Sequence, residues 1–466
     1  MKTGRGRIFI FAYDFPPRVR SGSYRPMRFA KALSGEGREV IVCTASELDD
    51  PREVDRSLLG EWTGRVRVVQ TFSPSSLLDL IQDACSRLGM GGLIYRMRKT
   101  LLFPDEKILW SLAVLFSLFR MRPVSGDIVI TTSPPWSVHL IGLLLRRTCD
   151  VRWIADHRDP WTQNPHFRGK GNLTKKLHHK LETLVHTCAD AIITASHKQK
   201  HNLQREFDID ERKVLALYSG YEEEDDFSPG SPTGGGNTHK HFVFLYAGAC
   251  YQDYVPDAFL EGLAMAFQRG AGTLLRERVR VVFLLSAGMD EVFRTIERLG
   301  LSDVAVVRPA VAHSDLGRYL RAADCLLLTV PDTDGAEAWV PGKTFEYLSS
   351  GKPVLAIVPP DGEVASLVTA HGRGTIVPPS DPESIRDAIE ELVHGGSGAE
   401  GGSARVLSWE VLSVKLTRLV DILSPRVSMR NGLGRTPSIA IAASGLGIVD
   451  RGSGAFHCRP RENPRE

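Results

Sequence analysis

Val340-Pro341-Gly342-Lys343-Thr344-Phe345-Glu346-Tyr347-Leu348-Ser349-Ser350-Gly351-Lys352-Pro353-Val354-Leu355-Ala356 reads as a turn, a short helix and then a strand. Pro341 and Gly342 suit a tight turn opening a helix, Gly351 suits its C-terminal stop, and Val354 to Val358 is a compact apolar run of strand type. Lys343 and Glu346 fall three apart and share a face near the helix start. A helix start offers unpaired amides and a partial positive charge, so the cation, the carboxylate and the free N–H groups can hold a nucleotide's phosphates and ribose. A solvated ion pair is the other reading of the same two residues.

Working outward, the flanking chain alternates strand and helix. Upstream come strand Phe242 to Ala247, the turn Gly248-Ala249-Cys250-Tyr251, helix 256–268, strand 279–286, a turn at Ala287-Gly288 and helix 290–299; strand 304–307, helix 314–322 and strand Cys325 to Thr329 lead into the quoted stretch. Downstream, Asp361-Gly362-Glu363 opens a helix, Gly374 to Val377 is a short strand and Pro382 to Val393 is helical. That rhythm predicts a doubly wound α/β domain over 241–403. A helix over 404–423 and a disordered tail over 424–466 follow.

The first half has the same rhythm and predicts a second such domain over 1–227. Ile8 to Ala12 is a buried strand, and the long loop from Tyr13 to Tyr24 precedes a helix and the strand Val40 to Thr44. Loops at the carboxyl ends of strands are where open α/β sheets bind ligands. The Ser21-Gly22 pair lets a phosphate or sugar approach the backbone, and Arg18, Arg20 and Arg25 attract an anion; a Pro-rich surface loop with solvated arginines is the alternative. Strand Asp127 to Thr132 ends in Ser133-Pro134-Pro135, and strand Val151 to Ala155 ends in Asp156-His157-Arg158-Asp159-Pro160-Trp161. Charged groups at a strand end are costly beside a core unless they form a site or a turn cap with its partner. The segment 228–240, rich in Gly, Pro and Ser, reads as a linker.

Composition excludes several classes. The 466 residues carry a net charge of only +3, which is no footprint for nucleic acid. Seven cysteines stand singly, without disulfide or metal spacing, as expected of a reducing compartment. No apolar run approaches the ~18 residues of a spanning helix. The 105–121 segment is either a core helix or an amphipathic one touching a membrane.

Taken in order, Tyr13-Asp14-Phe15-Pro16-Pro17, Ser21-Gly22, Tyr24-Arg25-Pro26, Thr132-Ser133-Pro134-Pro135, Asp156 with Arg158-Asp159-Pro160-Trp161, and Pro341-Gly342-Lys343-Thr344-Phe345-Glu346-Tyr347 resemble glycosyltransferase family 4. The resemblance covers about residues 6 to 423. It implies the GT-B fold, two Rossmann-like doubly wound parallel-sheet domains facing across a cleft. It also implies retaining transfer of a sugar from a nucleotide diphosphate donor to a glycan or lipid-linked acceptor. No metal and no cofactor beyond that co-substrate are expected.

Bacterial enzymes of envelope or surface polysaccharide synthesis, cytoplasmic or at the inner face of the membrane, are the implied setting, with a peripheral membrane contact permitted. The resemblance assigns Glu346 to the ribose hydroxyls and Gly342, Lys343 and Thr344 to the diphosphate, with Gly22, Gly248, Gly288 and Arg308 also on the donor. It assigns Asp156, His157, Arg158 and Asp159 to the acceptor or the reacting sugar, and Arg20, Tyr24, Arg25 and Ser133 to the acceptor side. Two departures stand out. Ala338 occupies the place of a frequent second glutamate, with Glu337 one position off, and Gly248-Ala249-Cys250-Tyr251 lacks the Arg and Lys often found there, a charge that Lys343 or Arg308 can supply. A non-catalytic nucleotide-sugar-binding protein and a GT-B sugar-nucleotide epimerase are the competing functions.

Overall fold

A computed structural model describes residues 6–18, 20–47, 54–92, 97–98, 101–164, 167, 171–223, 241–250, 256–268, 272–372, 374–395 and 404–424. The described residues within Met1–Ala195, Gln199–Leu217 and Ser413–Glu466 cluster as one unit, and those within Ser196–Lys198 and Tyr218–Leu412 as a second.

The first unit is built on β1 (Ile8–Ala12), β2 (Val40–Ala45), β3 (Val66–Thr71), β4 (Ile128–Ser133), β5 (Arg152–His157), β6 (Ala191–Thr194) and β7 (Val214–Ala216), ordered β3-β2-β1-β4-β5-β6-β7. Every pairing is parallel. Helices on both faces explain why β1, β2 and β4 are buried along their whole length, and why their sequences are apolar runs without alternation. Phe9, Phe11, Trp110 and Trp153 lie in this core. The strand order reverses between β1 and β4, so the loops after these two strands form the switch point where ligands of open α/β sheets bind.

The second unit repeats the plan with β8 (Phe242–Ala249), β9 (Val279–Ala287), β10 (Ala305–Pro309), β11 (Cys325–Thr329), β12 (Val354–Ile357) and β13 (Gly374–Val377), ordered β10-β9-β8-β11-β12-β13 and parallel throughout. Its switch point lies between β8 and β11. Phe244, Phe259 and Phe283 pack one face of the sheet; Phe345, Tyr347 and Leu348 of the 343–349 helix pack the other.

The boundaries differ in detail from the sequence reading. The chain passes to the second unit at Tyr218 rather than after 227, and it returns to the first unit at Ser413, inside the helix expected over 404–423. That helix begins only at Trp409, because the Tyr221 N–H donates to the Leu407 carbonyl and the Trp409 N–H to the Tyr221 carbonyl, interrupting the ladder after the short turn Ala404–Leu407. The 228–240 linker and the tail from 425 to 466 lie outside the described residues. Among the described residues no helix is long and apolar enough to cross a membrane.

Candidate functional site

In the second unit the quoted stretch folds as read, with a helix over Lys343–Ser349 followed by β12. The Lys343 side chain runs back to the carboxyl end of β8. Its Nζ lies 3.3 Å from the centroid of the Tyr246 ring, and a Cβ built on Gly248 would stand 3.4 Å from the same Nζ. Tyr246 and Gly248 share a sheet face because they are two residues apart on one strand; that spacing is the signal that could have marked Tyr246, which the sequence reading passed over. Burial of the amine lowers the Lys343 pKa from an ordinary 10.5 to about 7, partly offset by Cys250 and by the charge of Glu346. The lysine is therefore poised to gain a full charge when an anion arrives beside it.

Thr344 is fully buried, and its Oγ1 has no hydrogen-bond partner among the described residues. Tyr347 holds the helix to the strand by accepting the Ala247 N–H at 2.8 Å. The helix has only seven residues, so its dipole is weak and the lysine, not the helix end, is the main source of positive charge. Gly288, at φ 78°, sits where a Cβ would lie 2.1 Å from the Cys250 carbonyl oxygen, so the ends of β8 and β9 approach at a point only glycine fits. Arg308 does not join this group. It is exposed on the edge strand β10, separated from β8 by β9, a lateral distance of ~10 Å.

In the first unit the loop after β1 meets the end of β5. Arg20 and Ser23 close a turn in which the Ser23 N–H donates to the Arg20 carbonyl at 2.9 Å and the Arg20 N–H to Ser23 Oγ at 3.1 Å. Gly22 lies in that turn. A Cβ there would fall 2.2 Å from Arg158 Nη1 and 3.1 Å from Asp14 Oδ2, so the guanidinium lies across the bare glycine backbone. Arg158 also pairs with the exposed Asp159 at 3.5 Å. Arg18 is buried, lies 3.4 Å from Asp14, and has Nε and Nη1 without partners among the described residues. Arg18 and Arg158 thus lie near one carboxylate, beside a buried glycine that the Arg158 guanidinium covers, and a small displacement of that side chain would present an arrangement suited to an anionic or polyhydroxylated ligand. The sequence reading had Gly22, Arg18 and Arg158 separately and did not single out Asp14; the i, i+4 spacing of Asp14 and Arg18 behind a strand is the available signal.

Four expected site residues are instead internal. Arg25 and Asp156, expected at the acceptor and the reacting sugar, form a fully buried ion pair: Arg25 Nη2 donates to Asp156 Oδ1 at 2.7 Å and Nε to both carboxylate oxygens at 3.0 Å. Thr132 Oγ1 donates to Asp156 Oδ2 at 2.5 Å, and Arg25 Nη1 to the Leu217 carbonyl at 2.8 Å. The carboxylate is committed to partners within the fold. Ser133, expected on the acceptor side, is buried with its hydroxyl 3.4 Å from the Asp156 carbonyl, and it accepts the Arg158 N–H on its own carbonyl. His157 points to the opposite face of β5 from Asp156. It is fully buried between His139 and His186, and burial pushes its pKa down to about 4. Tyr24 is half-buried at the first position of the helix Tyr24–Gly35.

Comparison with known proteins identifies the architecture. Residues 260–395 match the family described as glycosyl transferases group 1. D-inositol 3-phosphate glycosyltransferase 1 of Catenulispora acidiphila is 24% identical over 287 residues, 59% of this chain and 66% of that protein, so the chain spans just under two thirds of the length of this curated relative. Sucrose-phosphate synthase from Thermosynechococcus elongatus superposes with a TM-score of 0.63 at 15% identity, over 90% of this chain and 98% of its own. Anabaena HepE, solved in complex with UDP and glucose, gives 0.60 at 13% identity, over 90% and 100%. With its two parallel sheets in tandem, the chain has the GT-B fold.

Proposed function

We propose that this chain, whose residues 260–395 form a glycosyl transferases group 1 domain, moves a hexosyl group from a nucleotide diphosphate sugar to a glycan or lipid-linked acceptor, with retention at the anomeric carbon and without a metal ion in the transfer. The observation that carries this reading is the half-buried Lys343 amine held against Tyr246 and Gly248 at the end of β8. It supplies the charge that the loop after β8 lacks. A diphosphate beside it restores its proton. Glu346, one turn on, accepts the ribose hydroxyls.

Gly22, Asp14, Arg18 and Arg158 hold the acceptor, and Asp159 is the carboxylate of this group with an exposed side chain. Retention needs no enzyme nucleophile when the leaving phosphate assists the incoming hydroxyl; positioning and charge stabilisation carry the rate. The commitment of Asp156 to Arg25 fits that scheme, since the carboxylate is not required to attack.

A panel of nucleotide sugars titrated calorimetrically into the full-length chain, followed by assay of nucleoside diphosphate release with acceptors, tests the reading. Binding of one donor with acceptor-dependent release is expected. Binding without release would make the chain a carrier, and sugar inversion without acceptor would make it an epimerase. Glu346→Ala should weaken nucleoside diphosphate binding by ~10-fold or more, given ~1.5–3 kcal/mol for hydrogen bonds to a charged group; unchanged affinity in the folded variant would remove Glu346 from the donor site.

A further inference from the structure

The interior of the first unit holds a cluster that sugar transfer does not use. His157 closes β5, while Glu182 and His186 stand four residues apart on one face of the helix Asn172–Cys188. All three are buried, at 0%, 2% and 2% exposure, and their nearest ligand atoms lie within 4.8 Å of one another. From these contacts we infer that His157 Nε2, His186 Nε2 and Glu182 Oε1 bind a divalent transition-metal ion of the zinc type.

The separations fit coordination. The two Nε2 atoms are 3.3 Å apart, and two imidazole nitrogens at ~2.0–2.1 Å from a tetrahedral zinc ion stand ~3.3–3.4 Å from each other. Glu182 Oε1 is 4.0 Å from His186 Nε2 and the three ligand atoms lie within 4.8 Å of one another, so the carboxylate must close by about 0.6 Å on His186 and by up to about 1.4 Å on His157 to reach tetrahedral spacing.

The group behind the carboxylate ligand is also in place, while the Nδ1 atoms of His157 and His186 have no hydrogen-bond partner among the described residues. Glu182 Oε2 accepts the Thr162 N–H at 3.1 Å and the Thr162 hydroxyl at 2.5 Å, which leaves Oε1 turned towards His186. Gln199 Nε2 donates to the His157 carbonyl at 3.0 Å and fixes the strand end that carries the ring. Such hydrogen bonds to ligating carboxylates and their backbone are what orient a metal's ligand set. Without an ion, two neutral imidazoles face each other through one shared hydrogen while a carboxyl group beside them loses its hydration. Burial accordingly pushes the Glu182 pKa up to about 8. With an ion, both Nε2 lone pairs and the carboxylate charge are used: the Glu182 proton leaves to solvent, and the one hydrogen held on an Nε2 moves to that ring's Nδ1, the Nδ1 atoms having no hydrogen-bond partner among the described residues. The ion would tie helix 172–188 to the strand end next to Arg158, giving it a structural role distinct from the metal-free transfer expected from the sequence.

The test uses the full-length chain freed of metal by a chelator and titrated with Co2+ and Zn2+ alone. One Co2+ per chain with the visible absorption of a tetrahedral site is expected, and Zn2+ at 100 times its Kd should raise the folded-to-unfolded ratio about 100-fold. His157→Gln and His186→Gln should each weaken Co2+ binding at least 10-fold. No uptake by the intact chain overturns the inference, as does equal uptake by folded variants. Should the variants fail to fold, X-ray absorption of the Zn2+-loaded intact chain decides: a nitrogen and oxygen shell with imidazole scattering supports the site, and sulfur ligands overturn it.

Discussion

At the scale of single residues, Lys343 carries a burial cost that an anion bound beside it, as proposed, would offset. The unfolded chain protonates this lysine up to an ordinary pKa of 10.5, whereas the folded chain releases the proton at about 7. Between those values the unfolded state binds more protons, so the contribution of Lys343 to stability improves as pH rises, and below about 7 the full penalty of a desolvated charge remains. Lys343→Met should therefore raise the melting temperature near neutral pH, by an amount that shrinks towards pH 10, while weakening nucleoside diphosphate binding at least ~10-fold. Calorimetric melts at the two pH values, with a binding titration, check both halves; a variant no more stable at neutral pH would contradict the buried-charge account.

Asp156 should behave in the opposite way. Asp156→Asn leaves Arg25 buried beside a neutral group, and breaking such a pair costs ~3–5 kcal/mol. A large fall in the urea midpoint is expected, with kcat per folded molecule largely retained at low temperature. Normal stability with abolished turnover would return Asp156 to the chemistry.

At the scale of elements, the 20–23 turn and the loop after β5 form one device. Gly22 is needed there for space: the nearest atom to an added Cβ is the tip of the Arg158 side chain, which can move. Gly22→Ala should consequently cost little stability and instead displace the guanidinium. The expected result is a melting temperature close to the parent's with a rise of ~10-fold or more in acceptor KM, since hydrogen bonds to a charged group contribute ~1.5–3 kcal/mol. Kinetics at saturating donor measure it; a large loss of stability with unchanged KM would mean that Arg158 is a packing residue.

At the scale of the molecule, the helix Ile108–Met121 settles neither for a fully buried nor for a fully polar face. Trp110 and Val114 are buried, while Leu112, Phe116 and Phe119 are 50%, 76% and 76% exposed on a single face. Arg120 lies in its last turn and Arg122 follows it. A contiguous apolar surface beside basic residues would suit a bilayer rich in anionic lipid if the acceptor is lipid-linked, one of the two acceptor classes proposed above. Phe116→Gln combined with Phe119→Gln should reduce co-sedimentation with anionic vesicles several-fold and leave transfer to a water-soluble acceptor unchanged. Equal sedimentation of parent and variant would exclude this face as the contact.

Much of this molecule is written locally in the chain. Apolar runs such as Ile8 to Ala12 and Val354 to Ile357, punctuated by glycines at 248, 288, 342 and 351, require only neighbouring residues to be understood, because strand burial, turn geometry and helix stops are short-range effects. The two α/β units and the position of Lys343 followed from them. Which charged residues face a ligand did not. Arg25 and Asp156 are 131 positions apart, and each looks like a site residue until folding joins them in a buried pair; the desolvation cost of one is offset only by the other. His157 likewise sits among site-like neighbours, yet strand alternation turns it inward, where a separate helix brings Glu182 and His186 to it. Local pattern specifies the elements, and tertiary packing decides which polar groups are paired inside and which remain at the strand ends for a ligand, because burial and long-range partners do not exist until the sheet is assembled.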